Sequence, residues 1–369
     1  MPLPLPRSRR RAMTAGAFVA AVVLVSGLQS APASAGARPT AAPTRHAVGV
    51  GCGTTVGKVT LDTTYNPGTG RYELSDPTRG GHKTYDMHQS TSGTGSLVTD
   101  DDNVWCDGGR QSDAVAAHYI HSVFWDYFLS VHGRKGVFGD GRAGCSRVHH
   151  GVDVVNAFYG VCMTYGDSKA PYGPLTRIDV GVHETSHGVT AATANLGFSG
   201  ESAALNEATS DMFAAAAEFH AANPADPGDY LIAEGTGLNG GDGPLRRMDR
   251  PSRDGHSKDY WSSDIGQTDP RYAAGPANHF FYLLAEGSGP KVINGVSYDS
   301  PTYDGTPVTG IGRTAAEKIW FKALTQRMTS NTNYHAARSA TLWAAGELYG
   351  TASPQYHATG RAWAAVNVT

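Results

Sequence analysis

Residues 183–187 read HETSH, and this spacing places strict demands on the surrounding fold. In an α-helix, residues four apart lie on one face, so His183 and His187 can present imidazole nitrogens to one point. Glu184 is rotated by about 100° and cannot comfortably join them, but it can reach a water held at that point. The pattern predicts a helix that carries two zinc ligands and a general base. Zinc then needs a third protein ligand from elsewhere in the fold.

A second helical segment, ALNEATSD at 204–211, supplies a candidate for that ligand. Glu207 and Asp211 are four residues apart and share a helix face. Glu207 can complete a site of two histidines and one carboxylate, while Asp211 can accept the free N–H of a ligand histidine. The alternative is a pair of solvated helix faces. The fit of one pattern to the other favours the metal site.

The N-terminus has the pattern of a targeting segment. A basic run at 7–11 precedes an apolar stretch at 12–28, and the small-residue motif ASA follows at 33–35. This order predicts a signal peptide over residues 1–35 and a secreted protein. The alternative, a membrane anchor, is disfavoured because the apolar run is short and a cleavage motif follows it. Residues 36–45 are predicted to be a short linker or pro-segment.

Charge and cysteine content narrow the possible partners. The net charge is −3 and no basic block follows the first dozen residues, which argues against nucleic acid. No later stretch is apolar enough for a membrane, and we expect a monomer.

Four cysteines in an exported protein indicate two disulfides with three possible connectivities. We favour Cys145–Cys162, which lie in adjacent β-like segments, and Cys52–Cys106 by elimination.

Strand-like and helix-like segments are divided along the chain. Short segments rich in Thr, Tyr and Val lie between turn residues over about 46–105, whereas helical spacing dominates after residue 200. The histidine-bearing helix is predicted over 177–197, ending at a glycine. This division predicts an α+β fold with a β-rich N-terminal lobe (46–195) and a helical C-terminal lobe (196–369).

Further segments carry a resemblance to a known family. They are NAFY at 156–159, PLRRM at 244–248, HSKDYW at 256–261 and GPANHFFYLL at 275–284. With the two metal motifs, they resemble the thermolysin family of secreted neutral metalloproteases over about residues 46–369. The resemblance implies a two-lobe zincin with the zinc helix at the floor of an active-site cleft. It also implies an endopeptidase that cleaves before bulky apolar residues of protein or peptide substrates.

The resemblance assigns roles position by position. His183, His187 and Glu207 would hold zinc, and Glu184 would activate the water on that ion. Substrate-binding positions would be Asn156, the Ala157 carbonyl, Arg246, and an apolar pocket of Val180, Ile232 and Leu245.

Calcium is expected near the zinc helix. Several carboxylates converging at a buried position would repel one another unless a hard cation neutralised them. The family pattern agrees, and Leu231 stands where many members have a glutamate for a second ion, so we expect one calcium. The expected calcium ligands are Asp179, Glu218, Asp229 and Glu234.

Three departures from the family pattern bear on how active the protein is expected to be. Arg271 stands where the family has a histidine that steadies the oxyanion, and Phe198 replaces a tyrosine that assists it. The third departure is that only about ten residues separate the predicted signal from the catalytic region, whereas family precursors carry a long propeptide. Loss of one oxyanion donor costs about 3–4 kcal/mol, which Arg271 would recover in part as a catalytic residue. The leading hypothesis is a zinc endopeptidase with reduced turnover. The alternative is a non-catalytic zinc-binding member of the fold that acts as a binding protein.

Overall fold

The computed structural model describes residues 42–369. The predicted signal peptide and residues 36–41 of the predicted linker lie outside the described residues. The first strand begins at Arg45, so the last residue of the predicted linker belongs to the folded region.

The first part of the described chain is rich in strands, as its short turn-bounded segments predict. Its elements in chain order are β1 (Arg45–Gly53), β2 (Gly57–Asn66), β3 (Arg71–Glu73), β4 (Ser75–Asp76), β5 (His82–Asp86), β6 (Ser96–Leu97), β7 (Thr99–Asp100), β8 (Val104–Trp105), α1 (Arg110–His132), β9 (Cys145–His150), β10 (Ala157–Tyr159), β11 (Met163–Gly166) and α2 (Ile178–Ala191).

Two sheets form this part. One has the strand order β7-β3-β2-β1-β8, and the other has the order β10-β11-β9-β5-β4, with β6 paired to β5. The β1–β2 hairpin is antiparallel over its whole length, from Arg45 opposite Tyr65 to Gly53 opposite Gly57. At Gly51 an added Cβ would lie 2.6 Å from a methyl of Val115, so glycine allows α1 to pack directly on β1.

Two disulfides join elements of these sheets. Cys52 in β1 bonds to Cys106, which follows β8, and Cys145 in β9 bonds to Cys162, which precedes β11. The pairing predicted from the sequence is therefore confirmed.

The second part of the chain is mainly helical, again as predicted. Its elements are α3 (Gly200–Ala221), β12 (Leu231–Ile232), β13 (Arg246–Arg247), α4 (Pro270–Ala273), α5 (Gly275–Glu286), β14 (Gly289–Ile293), β15 (Val296–Ser300), α6 (Arg313–Gln326), α7 (Tyr334–Tyr349) and α8 (Pro354–Ala365). The predicted division at residues 195 and 196 falls in the loop between α2 and α3 and stays a prediction.

Three long helices position the site. Helix α1 packs under both sheets, α2 packs on α1, and α3 packs closely along α2. Helix α3 is buried over most of its length because alanines occupy 214–217 and a phenylalanine precedes them. Gly181 of α2 sits where an added Cβ would lie 2.6 Å from Ile120, so only glycine lets the two helices approach this closely.

The sequence prediction was wrong about the end of α2. The helix stops at Ala191 instead of continuing to Gly197. Asn195 adopts a left-handed φ of 51°, and its N–H bonds to the Thr190 carbonyl at 2.7 Å, which closes a turn. Among residues 42–369, none of the helices has the length and apolar character needed to cross a membrane.

Candidate metal centre and cleft

The facing sides of α2 and α3 bring three predicted ligand side chains together. His183 Nε2 lies 3.7 Å from Glu207 Oε2, and His187 Nε2 lies 3.8 Å from Glu207 Oε1. All three ligand atoms lie within 4.8 Å of one another. Two ligand atoms of a tetrahedral zinc with bonds of about 2.0–2.2 Å are about 3.3–3.6 Å apart. The three side chains are therefore spaced for one zinc ion.

The tautomer of each histidine is fixed by a neighbouring oxygen. His183 Nδ1 lies 2.7 Å from Asp211 Oδ1, and His187 Nδ1 lies 2.9 Å from Asn206 Oδ1. An acceptor at Nδ1 favours the proton on that atom, which leaves the Nε2 lone pair free for a metal. The donor set and its orienting partners thus fit zinc.

Asp211 is fully buried and accepts hydrogen bonds from three side chains. Besides His183, Arg246 donates through Nε to Oδ2 at 2.8 Å and through Nη2 to Oδ1 at 2.7 Å. Asn278 of α5 donates to Oδ2 at 2.8 Å. Burial opposes ionisation, but the Arg246 charge and the His183 hydrogen bond outweigh it and hold the pKa of Asp211 well below its usual range. The carboxylate is therefore ionised and fixed in place.

Glu184 lies between two cavities that meet at the candidate metal centre. It lines both of them, together with His187 and Glu207. Burial raises the pKa of Glu184, with a further contribution from the Glu207 charge. A carboxylate with a raised pKa is a better proton acceptor near neutral pH than an ordinary glutamate.

The first cavity has a volume of about 560 Å³ and contains every predicted substrate-binding position. The polar positions among them are at Asn156, the Ala157 backbone and Arg246. The apolar positions are Val180, Ile232 and Leu245. Strand β10, which begins at Ala157, is at the edge of its sheet, and its residues Ala157 and Phe158 line this cavity.

Arg271 and Tyr272 of α4 also line the first cavity. The Arg271 side chain is exposed and has no hydrogen bond to any residue of 42–369, whereas its backbone N–H donates to Asp269 Oδ1 at 3.0 Å. The second cavity, of about 520 Å³, has aromatic walls that include Phe138, Phe158 and Phe198. Phe198 is 87% exposed and brings no hydroxyl to the cleft.

A separate acidic cluster lies behind the zinc helix. Ligand atoms of Asp179, Glu218 and Glu234 lie within 4.8 Å of one another. One carboxylate oxygen of each is buried with no hydrogen-bond partner in the part of the chain that the structure describes. Burial and then the Asp179 charge raise the pKa of Glu234 to about 9. Unpartnered buried carboxylate oxygens are the donor set that Ca²⁺ prefers.

The fourth expected calcium ligand, Asp229, is not part of that close group. Its Oδ1 accepts the Leu231 N–H at 2.6 Å, which is a local turn contact. Burial is the first cause that raises its pKa to about 7, and the Asp179 and Asp226 charges add to it. Asp229 therefore lies near the cluster, with one oxygen already engaged.

Sequence reasoning missed three side chains of these sites. Asn206 and Asn278 orient His187 and Asp211, and Asp226 adds a further buried carboxylate beside Asp179. Burial and then the Asp179 charge raise the pKa of Asp226 to about 6. In the sequence, the one signal for the role of Asn206 is its position directly before Glu207.

The fold and the site together define a class of protein: two-lobe α+β zincins with two histidines and a downstream glutamate in a cleft. Family models agree. Residues 48–191 match the thermolysin metallopeptidase catalytic domain, and residues 194–368 match the thermolysin metallopeptidase alpha-helical domain. The chain belongs to the thermolysin family of metallopeptidases.

Individual relatives support the assignment. The chain is 58% identical over 318 residues to the transglutaminase-activating metalloprotease of Streptomyces mobaraensis, covering 85% of this chain and 41% of that protein. It is 38% identical over 331 residues to thermolysin of Alicyclobacillus acidocaldarius, covering 87% of this chain and 57% of that protein. The chain thus spans about half the length of the curated relatives it matches.

A solved structure shows the same fold. The precursor of protealysin, a metalloproteinase from Serratia proteamaculans, aligns with a TM-score of 0.61 and 25% identity. The alignment covers 78% of this chain and 87% of that one. The expected fold class, α+β with a β-rich and a helical lobe, is confirmed.

Proposed function

We propose that this protein is a secreted zinc-dependent endopeptidase. The observation that carries the proposal is the convergence of His183, His187 and Glu207, with both Nδ1 atoms already occupied and Glu184 alongside. Family membership supports a metallopeptidase, and the names of the relatives agree with it. The two imidazoles and the Glu207 carboxylate would hold the zinc, which as a Lewis acid polarises the carbonyl to be attacked.

Glu184 is the proposed general base. Its position at the meeting point of the two cavities lets it accept a proton from the attacking water. Its raised pKa suits the next step, in which it donates that proton to the leaving amine.

The cleft supports an extended peptide as substrate. An edge strand can pair with an extended chain, so Asn156 and the Ala157 carbonyl are proposed to bind the substrate backbone. Arg246, fixed by Asp211, would donate to a substrate carbonyl through its remaining N–H groups. The apolar walls formed by Val180, Ile232 and Leu245 favour a bulky apolar residue just after the scissile bond.

Arg271 is proposed to stabilise the oxyanion in place of the family's histidine. Arg271 is exposed and lines the cavity that holds the metal residues, and arginine can donate several hydrogen bonds. A flexible exposed side chain is less pre-organised than a buried one, and Phe198 supplies no second donor. Turnover is therefore expected to be slower than with a histidine and a tyrosine.

The acidic cluster is proposed to bind one calcium ion. Asp179, Glu218 and Glu234 would be its ligands, with the free oxygen of Asp229 at its edge. Leu231, in β12, contributes no carboxylate for a second ion.

The second candidate is a zinc-binding protein without efficient turnover. It is supported by the presence of Arg271 and Phe198 where the family pattern has a histidine and a tyrosine; Arg271 lines the first cavity and Phe198 the second. The two candidates differ in one assay. We expect the purified protein to cleave casein, to lose this activity with a chelator and to recover it with zinc.

Variants complete that experiment. Glu184→Gln is expected to retain zinc but to lose about 10²–10⁴-fold in rate, because only the base is removed. Glu347→Gln, an exposed glutamate in α7, is the matched control and should cleave normally. Wild-type protein that binds zinc stoichiometrically yet leaves casein intact would instead establish the binding protein.

A further inference from the structure

The cleft contains a positively charged side chain, Arg271, that no carboxylate of the described residues pairs with. Among residues 42–369, Arg271 takes part in no ion pair, and its side chain donates no hydrogen bond. The other arginine of the cavity, Arg246, is neutralised by a bidentate pair with Asp211. Glu184 and Glu207 face the candidate metal centre. A cation without a partner is therefore presented to whatever occupies the cleft.

Arg271 lines the same cavity as the candidate metal ligands and Glu184. Helix α4 contributes Arg271 and Tyr272 to the first cavity and Pro270 to the second. The same two cavities share Glu184, His187 and Glu207. Helix α4 thus lies across the cleft where both cavities meet. A substrate that runs through both cavities would therefore pass α4, which carries Arg271.

The backbone of α4 holds the arginine at this point. Pro270 and the Asp269 side chain, which caps the Arg271 N–H, define the start of the helix. Tyr272 stacks on His256 at 5.1 Å between ring centroids, and its carbonyl accepts the Lys258 N–H at 3.2 Å. The backbone on both sides of Arg271 is therefore anchored, while the side chain is free to reach a ligand.

We propose that Arg271 is a specificity-determining residue that selects peptides with a carboxylate beside the scissile bond. The inference rests on the proposed peptidase function and adds its substrate class. A planar guanidinium binds a carboxylate through two parallel hydrogen bonds, which an uncharged amide cannot match. Two sources supply this group: the side chain of Asp or Glu, and the free C-terminus of a short peptide.

Matched peptide pairs test the proposal. Internally quenched peptides with capped ends carry Glu or Gln at each of the three positions on either side of the scissile bond. A second set compares a free C-terminal acid with its amide. Exposed ion pairs have modest strength, so we expect a ratio of kcat/KM for Glu over Gln of about threefold to fivefold at one position. The ratio should shrink in high salt, since screening weakens exposed pairs.

Variants of Arg271 test whether this residue causes the preference for Glu over Gln. Arg271→Gln should bring the ratio to about one, and Arg271→Lys should retain part of it. The ratio is measured within each variant, so a general rate loss from a weaker oxyanion contact cancels. Arg71→Gln, which removes an exposed guanidinium of β3 paired with Asp101, is the matched control and should leave the ratio unchanged.

The outcomes distinguish a failure of the Arg271 proposal from a failure of the peptidase proposal. Equal cleavage of Glu and Gln peptides at every position, or a ratio that survives Arg271→Gln, overturns the role of Arg271 and leaves the peptidase intact. Preference confined to free-acid peptides assigns the C-terminal carboxylate as the ligand. If the wild type cleaves nothing, the peptidase proposal fails. Fluorescence anisotropy with the same peptides then decides whether Arg271 still discriminates between Glu and Gln in binding.

Discussion

At the scale of single residues, Asp211 makes the metal ligands and the substrate-binding arginine depend on one carboxylate. Its Oδ1 accepts from both His183 and Arg246, and its Oδ2 accepts from Arg246 and Asn278. Both Asp211 oxygens are therefore hydrogen bonded by protein side chains. A change at Asp211 therefore acts on the orientation of a ligand histidine and on a buried charge together.

Replacing Asp211 by asparagine is expected to lower the free energy of unfolding by about 3–5 kcal/mol, because the buried Arg246 charge loses its counter-ion. Urea unfolding in excess chelator measures this, since chelation removes any contribution from lost metal. Asp264→Asn, at an exposed loop position, is the control and should change stability little. A loss below about 1 kcal/mol would show that Arg246 is stabilised by other groups.

Glu207→Gln is expected to abolish stoichiometric zinc binding. The amide keeps the shape of the side chain but removes the negative charge and one strong donor atom, while His183 and His187 remain. Metal analysis after dialysis measures zinc per chain, with Glu347→Gln as the control. Full zinc occupancy in Glu207→Gln would refute the assignment of this ligand.

The site residues that the sequence predicted have partners close to them along the chain. The site residues that it missed have partners far away along the chain. His183 with His187, and Glu207 with Asp211, are spaced four apart, so helix geometry alone pairs them. The contact of Asn278 with Asp211 joins residues 67 apart, and no local periodicity reports it. Asp226 likewise joins its cluster through the fold of the loop after α3. Local sequence patterns therefore do not predict the site contacts that depend on tertiary packing.

At the scale of elements, strand β5 and helix α1 pack three histidines against one another. The His82 ring of β5 stacks on His121 of α1 with centroids 3.5 Å apart, and His118 lies beside them. Both His118 nitrogens are bonded, to Thr84 Oγ1 and to the Asp62 carbonyl, each at 2.9 Å. Both nitrogens of His82 are buried and have no hydrogen-bond partner within residues 42–369. The packing of β5 on α1 therefore requires neutral rings.

This packing is expected to make the folded state sensitive to acid. Burial, with repulsion from the other rings, lowers the pKa of His82, and burial lowers the pKa of His121 to about 3. Between that value and the unfolded pKa of about 6.5, the unfolded chain binds more protons. Stability is therefore full above pH 6.5 and falls as the pH drops below it, by about 3 kcal/mol at pH 4.5 for His121 alone, and His82 adds to this loss.

His82→Leu tests this effect. The variant is expected to lose less stability between pH 6.5 and 4.5 than the wild type, because one of the buried bases is gone. Urea unfolding at several pH values gives the slope. His357→Leu, at an exposed position of α8, should retain the wild-type slope. Identical slopes for His82→Leu and wild type would place the acid sensitivity at another buried group. The charged groups that also face this cluster, Asp76 and Arg79, do not titrate in this pH range, because the pKa of Asp76 is lowered and that of Arg79 is raised.

At the scale of the whole molecule, the acidic cluster ties the zinc helix to the helical lobe. Asp179 belongs to α2, Glu218 to α3, and Glu234 to the segment that follows β12. Arg177 approaches Asp226 and Glu234 at 3.7 and 4.0 Å, so one guanidinium faces several carboxylates. One monovalent charge cannot neutralise them all, and their raised pKa values express that imbalance.

Calcium is therefore expected to raise the melting temperature of the whole two-lobe unit. At a calcium concentration about 100 times its Kd, binding to the folded state adds about 2.7 kcal/mol, which for this chain length corresponds to about 4 °C. Differential scanning calorimetry with zinc held constant measures the shift, and magnesium is the control because it prefers a smaller octahedral site. Glu218→Gln removes one ligand charge and also relieves repulsion within the cluster. Without calcium, this variant should therefore melt near the temperature of the wild type, and added calcium should raise its melting temperature less. A response to calcium that is equal in Glu218→Gln and wild type would move the ion to another set of carboxylates.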